Sequence, residues 1–356
     1  MKFLFIVQGE GKGHMTQSVA LREILEGNGH QIIKVIIGKS PWRKPASHLL
    51  YPHTQAPAPG LFLSPAFISS ENRKGINLAF TFLVNMILIP VYLIESFRLA
   101  YLIRIQKPDV IINFYDIIGG IACLLTGSKI RKYVISHHFF FEHPDFKWPD
   151  NRVFERKMLL LHSWITSLAA NKKLALSFIS AKDLPEKKIF VIPPLIRRKF
   201  LNAKPGKDGF IHIYTLQPGY AADIQKWCLD HPEIKVKMFS DFRNIQIQSY
   251  SNLESHSFSQ EEFQDSLINC SMVVCTAGFE TLAEAAYLGK PLQVIPSENH
   301  FEQYCNALDL ERAGLGSRIG NFVPLAVNFS EYNPEYPIFR NWVNEAERIV
   351  LSHLIK

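Results

Sequence analysis

Apolar residues along this chain gather in short continuous runs. Between the runs lie Gly- and Pro-rich turns and stretches with one apolar face, the signature of buried parallel strands alternating with covering helices. Phe3–Val7 is the first run. The turn Gln8-Gly9-Glu10-Gly11-Lys12-Gly13-His14 follows, then Val19, Ala20, Ile24 and Leu25 at helical spacing, stopped by Gly27-Asn28-Gly29. Gln31–Ile37 is a second run, so the chain opens as strand, helix, strand. The alternation resumes with a strand at Val110–Phe114, a helix at Gly119–Leu125 and a strand at Tyr133–Ser136. Pro193-Pro194 through Gly206-Lys207-Asp208-Gly209 has the composition of a linker. Beyond it the pattern predicts strands at Phe210–Leu216, Ile234–Phe239, Met272–Cys275 and Leu292–Ile295, and helices at Ala221–Leu229, Glu261–Ile268 and Thr281–Leu288. Trp342, Val343, Ala346, Ile349, Val350 and Leu354 predict a closing helix over Ile338–Ile355, packed across the domain junction. The fold class expected is therefore α/β, with two doubly wound domains at residues 1–195 and 196–335 and a final helix at 336–356. Their strands' carboxyl ends would face each other across a cleft, the default ligand site.

Ile76–Ile94 departs from this pattern, with 19 residues and no charge. Its length could span a bilayer, but Asn77, Asn85 and Pro90 interrupt it and a strand must follow at Val110. Three readings stay open: a spanning helix, a buried core helix, and a helix that dips into a membrane face. Arg73, Lys74, Arg98, Arg104 and Lys107 flank the run and suit an anionic headgroup layer.

Charge sharpens that picture. Residues 1–200 hold 27 Lys+Arg against 13 Asp+Glu, and the remainder hold 12 against 19, which divides the net +7 into a basic half and an acidic half. The chain has no basic run with interleaved aromatics and no recognition-helix or zinc-finger pattern, so nucleic acid is not an expected partner. Five cysteines without C-x-x-C or metal-ligand spacing, and an N-terminal apolar run too short for an export signal, point to reduced thiols in the cytoplasm.

Two motifs carry chemistry. In Gly9–His14, three glycines allow a sharp turn and close ligand approach at a helix start. The spacing is not that of a dinucleotide fold, and no Walker motif is present. His14 at the mouth of this loop is a candidate base, or else a helix cap. The second motif runs from Val274 through Thr276-Ala277-Gly278-Phe279-Glu280-Thr281 and Glu284 to Gly289-Lys290-Pro291, and on to His300-Phe301-Glu302-Gln303-Tyr304-Cys305-Asn306. A small-residue loop opening onto a helix suits a diphosphate, and a carboxylate one turn in can accept hydrogen bonds from vicinal hydroxyls.

In these two motifs the sequence resembles the GT-B glycosyltransferases of the MurG-like branch. That branch holds the peptidoglycan N-acetylglucosaminyltransferase, the plant galactolipid synthases and, more distantly, the UDP-glucuronosyltransferases. The resemblance implies two Rossmann-like domains and transfer of a hexose or N-acetylhexosamine from a nucleotide sugar, UDP-linked, to a lipid-linked or glycan acceptor. The transfer would invert the anomeric carbon and use no cofactor or metal; no D-x-D motif occurs. It implies that Glu284 binds the ribose hydroxyls, that Ala277, Gly278 and Phe279 form the phosphate-binding helix start beside Thr276, Glu280 and Thr281, and that Glu302 and Gln303 hold the sugar. Glu302 stands where the family has Gln or Asp. Gly11 and Gly13 fall in the family's first loop, Gln217 in a turn near the phosphates, Arg197 in a Pro-x-Arg segment that touches the diphosphate, and Phe258 on the uracil loop. His14 would be the catalytic base, with Asp116 and His137, at the ends of their strands, as further catalytic or acceptor-side residues. Peripheral membrane contact through the basic N-terminal domain, at the inner face of the cell membrane, follows as an expectation. A nucleotide-sugar hydrolase or epimerase on the same fold, and a non-catalytic donor-binding subunit, are the alternatives.

Overall fold

Phe3–Val7, fully buried, forms most of β1 (Lys2–Val7) at the centre of a parallel sheet. The structure, a computed structural model, describes residues 1–10, 12–41, 60–240, 250–257, 259–320 and 336–355. The chain forms two compact units: Met1–Phe67, Leu78–Arg197 and Trp342–Lys356 in the first, Ile68–Asn77 and Arg198–Asn341 in the second. The sequence pattern does not separate residues 68–77 from the first half.

In unit 1 the chain runs β1, α1 (Gly13–Gly27), β2 (Gln31–Lys39), β3 (Gly60–Leu63), α2 (Leu78–Ile87), α3 (Ile89–Gln106), β4 (Val110–Phe114), α4 (Ile117–Leu125), β5 (Arg131–Ser136), α5 (Val153–Ser167), β6 (Lys172–Leu176) and β7 (Ile189–Ile192). Among the described residues the strands order as β3-β2-β1-β4-β5-β6-β7. The order reverses between β1 and β4, the switch point where open α/β sheets place ligands. Helices α3 and α4 pack side by side, as do α4 and α5. Leu99, Ala100, Ile103, Ile118 and Ala122 from this layer meet Leu4, Ile6 and Ile111 of the sheet.

Unit 2 runs α6 (Arg198–Leu201), β8 (Phe210–Tyr214), α7 (Ala221–Asp230), β9 (Lys235–Ser240), β10 (Leu253–Ser257), α8 (Gln260–Asn269), β11 (Met272–Thr276), α9 (Phe279–Tyr287), β12 (Leu292–Ile295), α10 (Phe301–Arg312) and β13 (Ser317–Arg318). Its parallel sheet orders as β10-β9-β8-β11-β12-β13, with the switch point between β8 and β11. Ile211, Ile213, Trp227, Met238, Met272 and Val274 form the core on one side. The closing stretch is two helices rather than one, α11 (Pro337–Asn344) and α12 (Ala346–Leu354), broken at Glu345. From Trp342 onward it belongs to unit 1, where Trp342 Nε1 donates to the Ser177 carbonyl at 3.0 Å and Asn28 Nδ2 to Glu347 at 2.8 Å.

The uncharged run is also broken. Helices α2 and α3 meet at Leu88 with a 62° bend, and Pro90, which lacks an N–H, sits in the first turn of α3. Among the described residues no single helix is long and apolar enough to cross a membrane, although the bent pair passes by length and composition. The buried-helix reading fails for α2, which buries no residue. Phe82 is 60% exposed and Ile87 68%, and the exposed face continues through Ile94, Phe97 and Tyr101 of α3. Helix α5 adds exposed Phe154 and Trp164. All five cysteines are buried and free, and burial raises the thiol pKa of Cys123 and Cys270 to about 12.

Candidate functional site

Unit 2 concentrates the donor candidates where β8 and β11 end. Strand β11 finishes at Thr276, and Ala277 N–H then donates to the Ile295 carbonyl at 3.1 Å, which ties the loop to β12. Gly278 is the N-cap of α9; its backbone is extended, and no side chain caps the helix. The first N–H groups of α9 therefore end at an open glycine, and a Cβ built on Gly278 meets nothing within 4 Å. Such a start favours an anion through the helix dipole, while the Gly278 N–H itself donates to the Thr276 carbonyl at 2.7 Å. Phe279 and Glu280 are buried, Thr281 is half-buried, and Glu284, one turn further, is 1% exposed. Its carboxylate is thus held out of bulk water.

Helix α10 supplies the next group. His300 is its N-cap and accepts from Gln303 N–H, while Gln303 Oε1 accepts from Ser297 N–H at 2.9 Å. Asn306, fully buried, donates through Nδ2 to the Ala277 carbonyl at 3.0 Å and reaches Glu302 Oε1 at 3.4 Å. Asn306 therefore joins the α9 loop to the Glu302–Gln303 pair; it lies inside the sequence motif, but its residue type alone gave no sign of this bridging. Gln217 follows β8, and its N–H donates to Thr215 Oγ1 at 3.0 Å. Arg197 is buried and, like Gly13, belongs to unit 1, whereas Gln217, Thr276–Thr281, Glu284, Glu302 and Gln303 belong to unit 2. Gly11 and Phe258 lie outside the described residues.

Unit 1 gathers a different set at its own switch point. Gly9 is required by packing, since a Cβ there would lie 1.8 Å from the Gly38 carbonyl at the end of β2. Gly13 begins α1, whose N-cap is Lys12 with no side-chain cap bond, so His14 is not the cap. Its Nδ1 instead lies 3.2 Å from Oε1 of Gln17, one turn along the same helix and 2% exposed. An amide oxygen only accepts, so this contact places the ring proton on Nδ1 and leaves the lone pair on Nε2. The ring of Tyr115 lies 5.8 Å from that of His14 and stacks on His138 at 3.8 Å, with His162 edge-on at 4.7 Å. Tyr115 has a left-handed backbone (φ 60°), and its hydroxyl shares a hydrogen with Ser163 at 2.7 Å. Non-glycine residues held in that region are strained and cluster at functional sites.

Asp116 and His137 have other surroundings. Asp116 caps α4 by accepting from Gly119 N–H at 2.8 Å, and its second oxygen accepts from Ser64 Oγ at 2.6 Å. Burial raises its carboxyl to about 6, against the hydrogen bonds from Ser64, Gly119 and Ile118. His137 turns into the interior among Phe140, Phe141 and Phe178, with Nδ1 2.6 Å from the Leu176 carbonyl. Its neighbour His138 is the histidine brought to His14, with ring centroids 6.0 Å apart. The structure thus assembles His14, Gln17, Tyr115 and His138, of which His14 alone is the base that the sequence points to. Among the described residues no group of three or more His, Cys, Asp or Glu side chains is arranged to hold a metal ion.

A model of the family described as Glycosyl transferase family 1 matches residues 1–327. An uncharacterized glycosyltransferase of Methanosarcina mazei is 24% identical over 352 residues, covering 91% of this chain and 88% of that protein. The UDP-N-acetylglucosamine–N-acetylmuramyl-(pentapeptide) pyrophosphoryl-undecaprenol N-acetylglucosamine transferase of Rickettsia canadensis is 25% identical over 351 residues, covering 89% and 85%. The crystal structure of Acinetobacter baumannii MurG matches 100% of this chain and 99% of its own, with a TM-score of 0.57 at 14% identity. The likeness in structure bears out the GT-B fold.

Proposed function

The chain belongs to glycosyl transferase family 1 and is a glycosyltransferase; from that premise we propose that it moves a hexose or N-acetylhexosamine from a UDP-linked donor to a hydroxyl of a lipid-linked or membrane-associated acceptor. The observation that carries this reading is the uncapped start of α9 at Gly278, with Glu284 inside the same helix and Glu302 and Gln303 opening α10 at the neighbouring strand. By its name, the Rickettsia relative uses UDP-N-acetylglucosamine and an undecaprenol-linked acceptor, which supports both halves of the proposal. In this scheme the positive end of the α9 dipole, at Ala277, Gly278 and Phe279, holds the diphosphate, Glu284 the ribose hydroxyls, and Glu302 with Gln303 the sugar. His14 takes the acceptor proton on Nε2 as the acceptor oxygen attacks the anomeric carbon. The bond to UDP breaks as the new glycosidic bond forms, so configuration inverts. Charge developing on the departing UDP is met by the α9 start and Arg197, with no metal called upon.

A thermal-shift screen against UDP-, GDP-, TDP- and CMP-sugars tests the donor. UDP-sugars at 100 times Kd are expected to add about 2.7 kcal/mol of apparent stability. A larger response to another nucleotide would reassign the donor class.

The exposed apolar face of α2 and α3, with Arg98, Arg104 and Lys107 beside it, supports attachment at the cytoplasmic face of an anionic membrane. We expect the protein to float with vesicles containing phosphatidylglycerol and to be released by high salt, because the Debye length falls to about 3 Å at 1 M. The double variant Phe82→Ser/Ile87→Ser should no longer float while its UDP affinity stays unchanged. Flotation that survives both high salt and this variant would place the membrane contact elsewhere.

A further inference from the structure

Residues 68–77, which the chain inserts into unit 2 between β3 and α2, form a small hairpin of their own. Ser69 bridges Ile76 antiparallel, Asn77 N–H donates to the Ile68 carbonyl at 2.9 Å, and Ser70 N–H to the Gly75 carbonyl at 3.0 Å. Arg73, at the tip, has a left-handed backbone (φ 55°), and its N–H closes the turn onto the Ser70 carbonyl.

The hairpin is bonded to two loops of unit 2. On one side, Gly219 N–H donates to the Arg73 carbonyl at 3.1 Å, Lys74 Nζ lies 2.7 Å from the Asp223 carboxylate, and the ammonium sits 5.5 Å from the Tyr220 ring centre. On the other, Glu298 N–H donates to the Lys74 carbonyl at 3.1 Å, Ile76 N–H donates to the Glu298 carbonyl at 3.0 Å, and Asn72 Nδ2 reaches Glu298 Oε2 at 2.7 Å. The fit leaves no room for a side chain at either contact. A Cβ on Gly75 would lie 1.9 Å from the Glu298 carbonyl oxygen, and one on Gly219 would lie 2.2 Å from that of Asn72.

Topology says what lies beneath. The first loop follows β8 and the second follows β12, and β11 is the strand between them. An element bonded to both loops crosses the carboxyl end of β11, where Thr276-Ala277-Gly278 opens onto α9. Glu298 adjoins Ser297, whose N–H holds Gln303 Oε1, and Gly219 lies within the turn that Tyr220 N–H closes onto the Gln217 carbonyl.

We propose that the hairpin roofs the nucleotide-sugar site and positions its loops. It fixes the 217–219 turn beside the diphosphate and, through Glu298 and Ser297, fixes Gln303 beside the donor sugar. This rests on the donor site proposed above. Lys74 and Gly75 are positioning residues: they hold the loops that carry Gln217 and, through Ser297, Gln303.

The test uses the full chain, with UDP as the probe. Two quantities are read: Kd by calorimetry, and exchange of the Gly219 and Glu298 amides by hydrogen–deuterium exchange. For Gly75→Ala we expect both amides to exchange faster and the UDP Kd to rise at least about tenfold, as a forced backbone shift implies. Lys74→Ala, which removes a partly exposed ion pair, should raise Kd about two- to fivefold, and Lys74→Arg should restore it. That rescue decides the matter if Gly75→Ala fails to fold. Faster exchange in Gly75→Ala with an unchanged UDP Kd would reduce the hairpin to packing alone, and unprotected Gly219 and Glu298 amides in the unsubstituted chain would remove the contact itself. If the unsubstituted chain binds no UDP, the donor reading falls and this inference with it; if UDP binds equally to both chains, only this inference falls.

Discussion

Replacing His14 by Ala is expected to lower turnover about 10²–10⁴-fold, the usual contribution of a positioned general base, while UDP affinity stays near that of the unsubstituted chain. The separation follows from placement. His14 lies on α1 in unit 1, whereas Gly278, Glu284, Glu302 and Gln303 all lie in unit 2. A cap role would predict something else, about 1 kcal/mol of lost stability and normal turnover, but α1 is capped at Lys12 without a side-chain bond. Gln17 sharpens the test. Its amide oxygen keeps the ring proton on Nδ1, and the variant Gln17→Leu removes that restraint without removing the base. It should lower kcat less than His14→Ala does and leave KM for the donor unaltered. Turnover and UDP binding measured on the same folded His14→Ala sample decide the assignment; near-normal turnover would pass the base to His138, the next imidazole in the stack.

The second large effect concerns Glu284. Hydrogen bonds to a charged group contribute about 1.5–3 kcal/mol each, so losing two from the ribose hydroxyls should weaken UDP binding by roughly two to four orders of magnitude, at 1.4 kcal/mol per tenfold. Glu284→Gln keeps the shape of the side chain in its nearly closed surroundings (1% exposed) and removes only the charge. It should therefore fall between the unsubstituted chain and Glu284→Ala. Calorimetry with UDP, alongside a melting curve for each variant, separates binding from stability. A lowered melting temperature with unchanged UDP affinity would make Glu284 a packing residue and move the ribose contact to another group.

Much of this arrangement is readable in the sequence because strands buried on both faces advertise themselves. Phe3–Val7 is an uninterrupted apolar run, Val110–Phe114 is broken only by Asn113 and Met272–Cys275 runs apolar up to Thr276, and each ends at a loop that carries candidate chemistry. Helix α5 went unread for the opposite reason. Its buried positions include Ser163 and Thr166 while Phe154, Leu161 and Trp164 face outward, so its amphipathic pattern is inside out. The hairpin at 68–77 is short and polar, and its Gly75, like Gly219 across the contact, serves a contact distant in sequence. Nothing local marks them. At the end of β5, the change from strand to a 3-10 turn at His137 swaps which histidine points inward. A period of two cannot foresee that exchange. Gln17 carries no sequence signal either, since a glutamine one turn from a histidine is ordinary on any helix surface.

The division of unit 1 into three stretches of chain has a consequence for synthesis. Residues 1–67 and 78–197 leave the ribosome first, but Val343, Ala346, Val350 and Leu354, all buried, arrive only after the whole of unit 2 has been made. At roughly 5–20 residues per second, the nascent β6–β7 edge waits about 10–30 s with the Ser177 carbonyl and the Phe190 ring lacking the Trp342 and His353 that later meet them. Translation speed through the second half of the message therefore sets how long an unfinished apolar surface is offered to chaperones, and a chain released before Trp342 would carry that surface permanently.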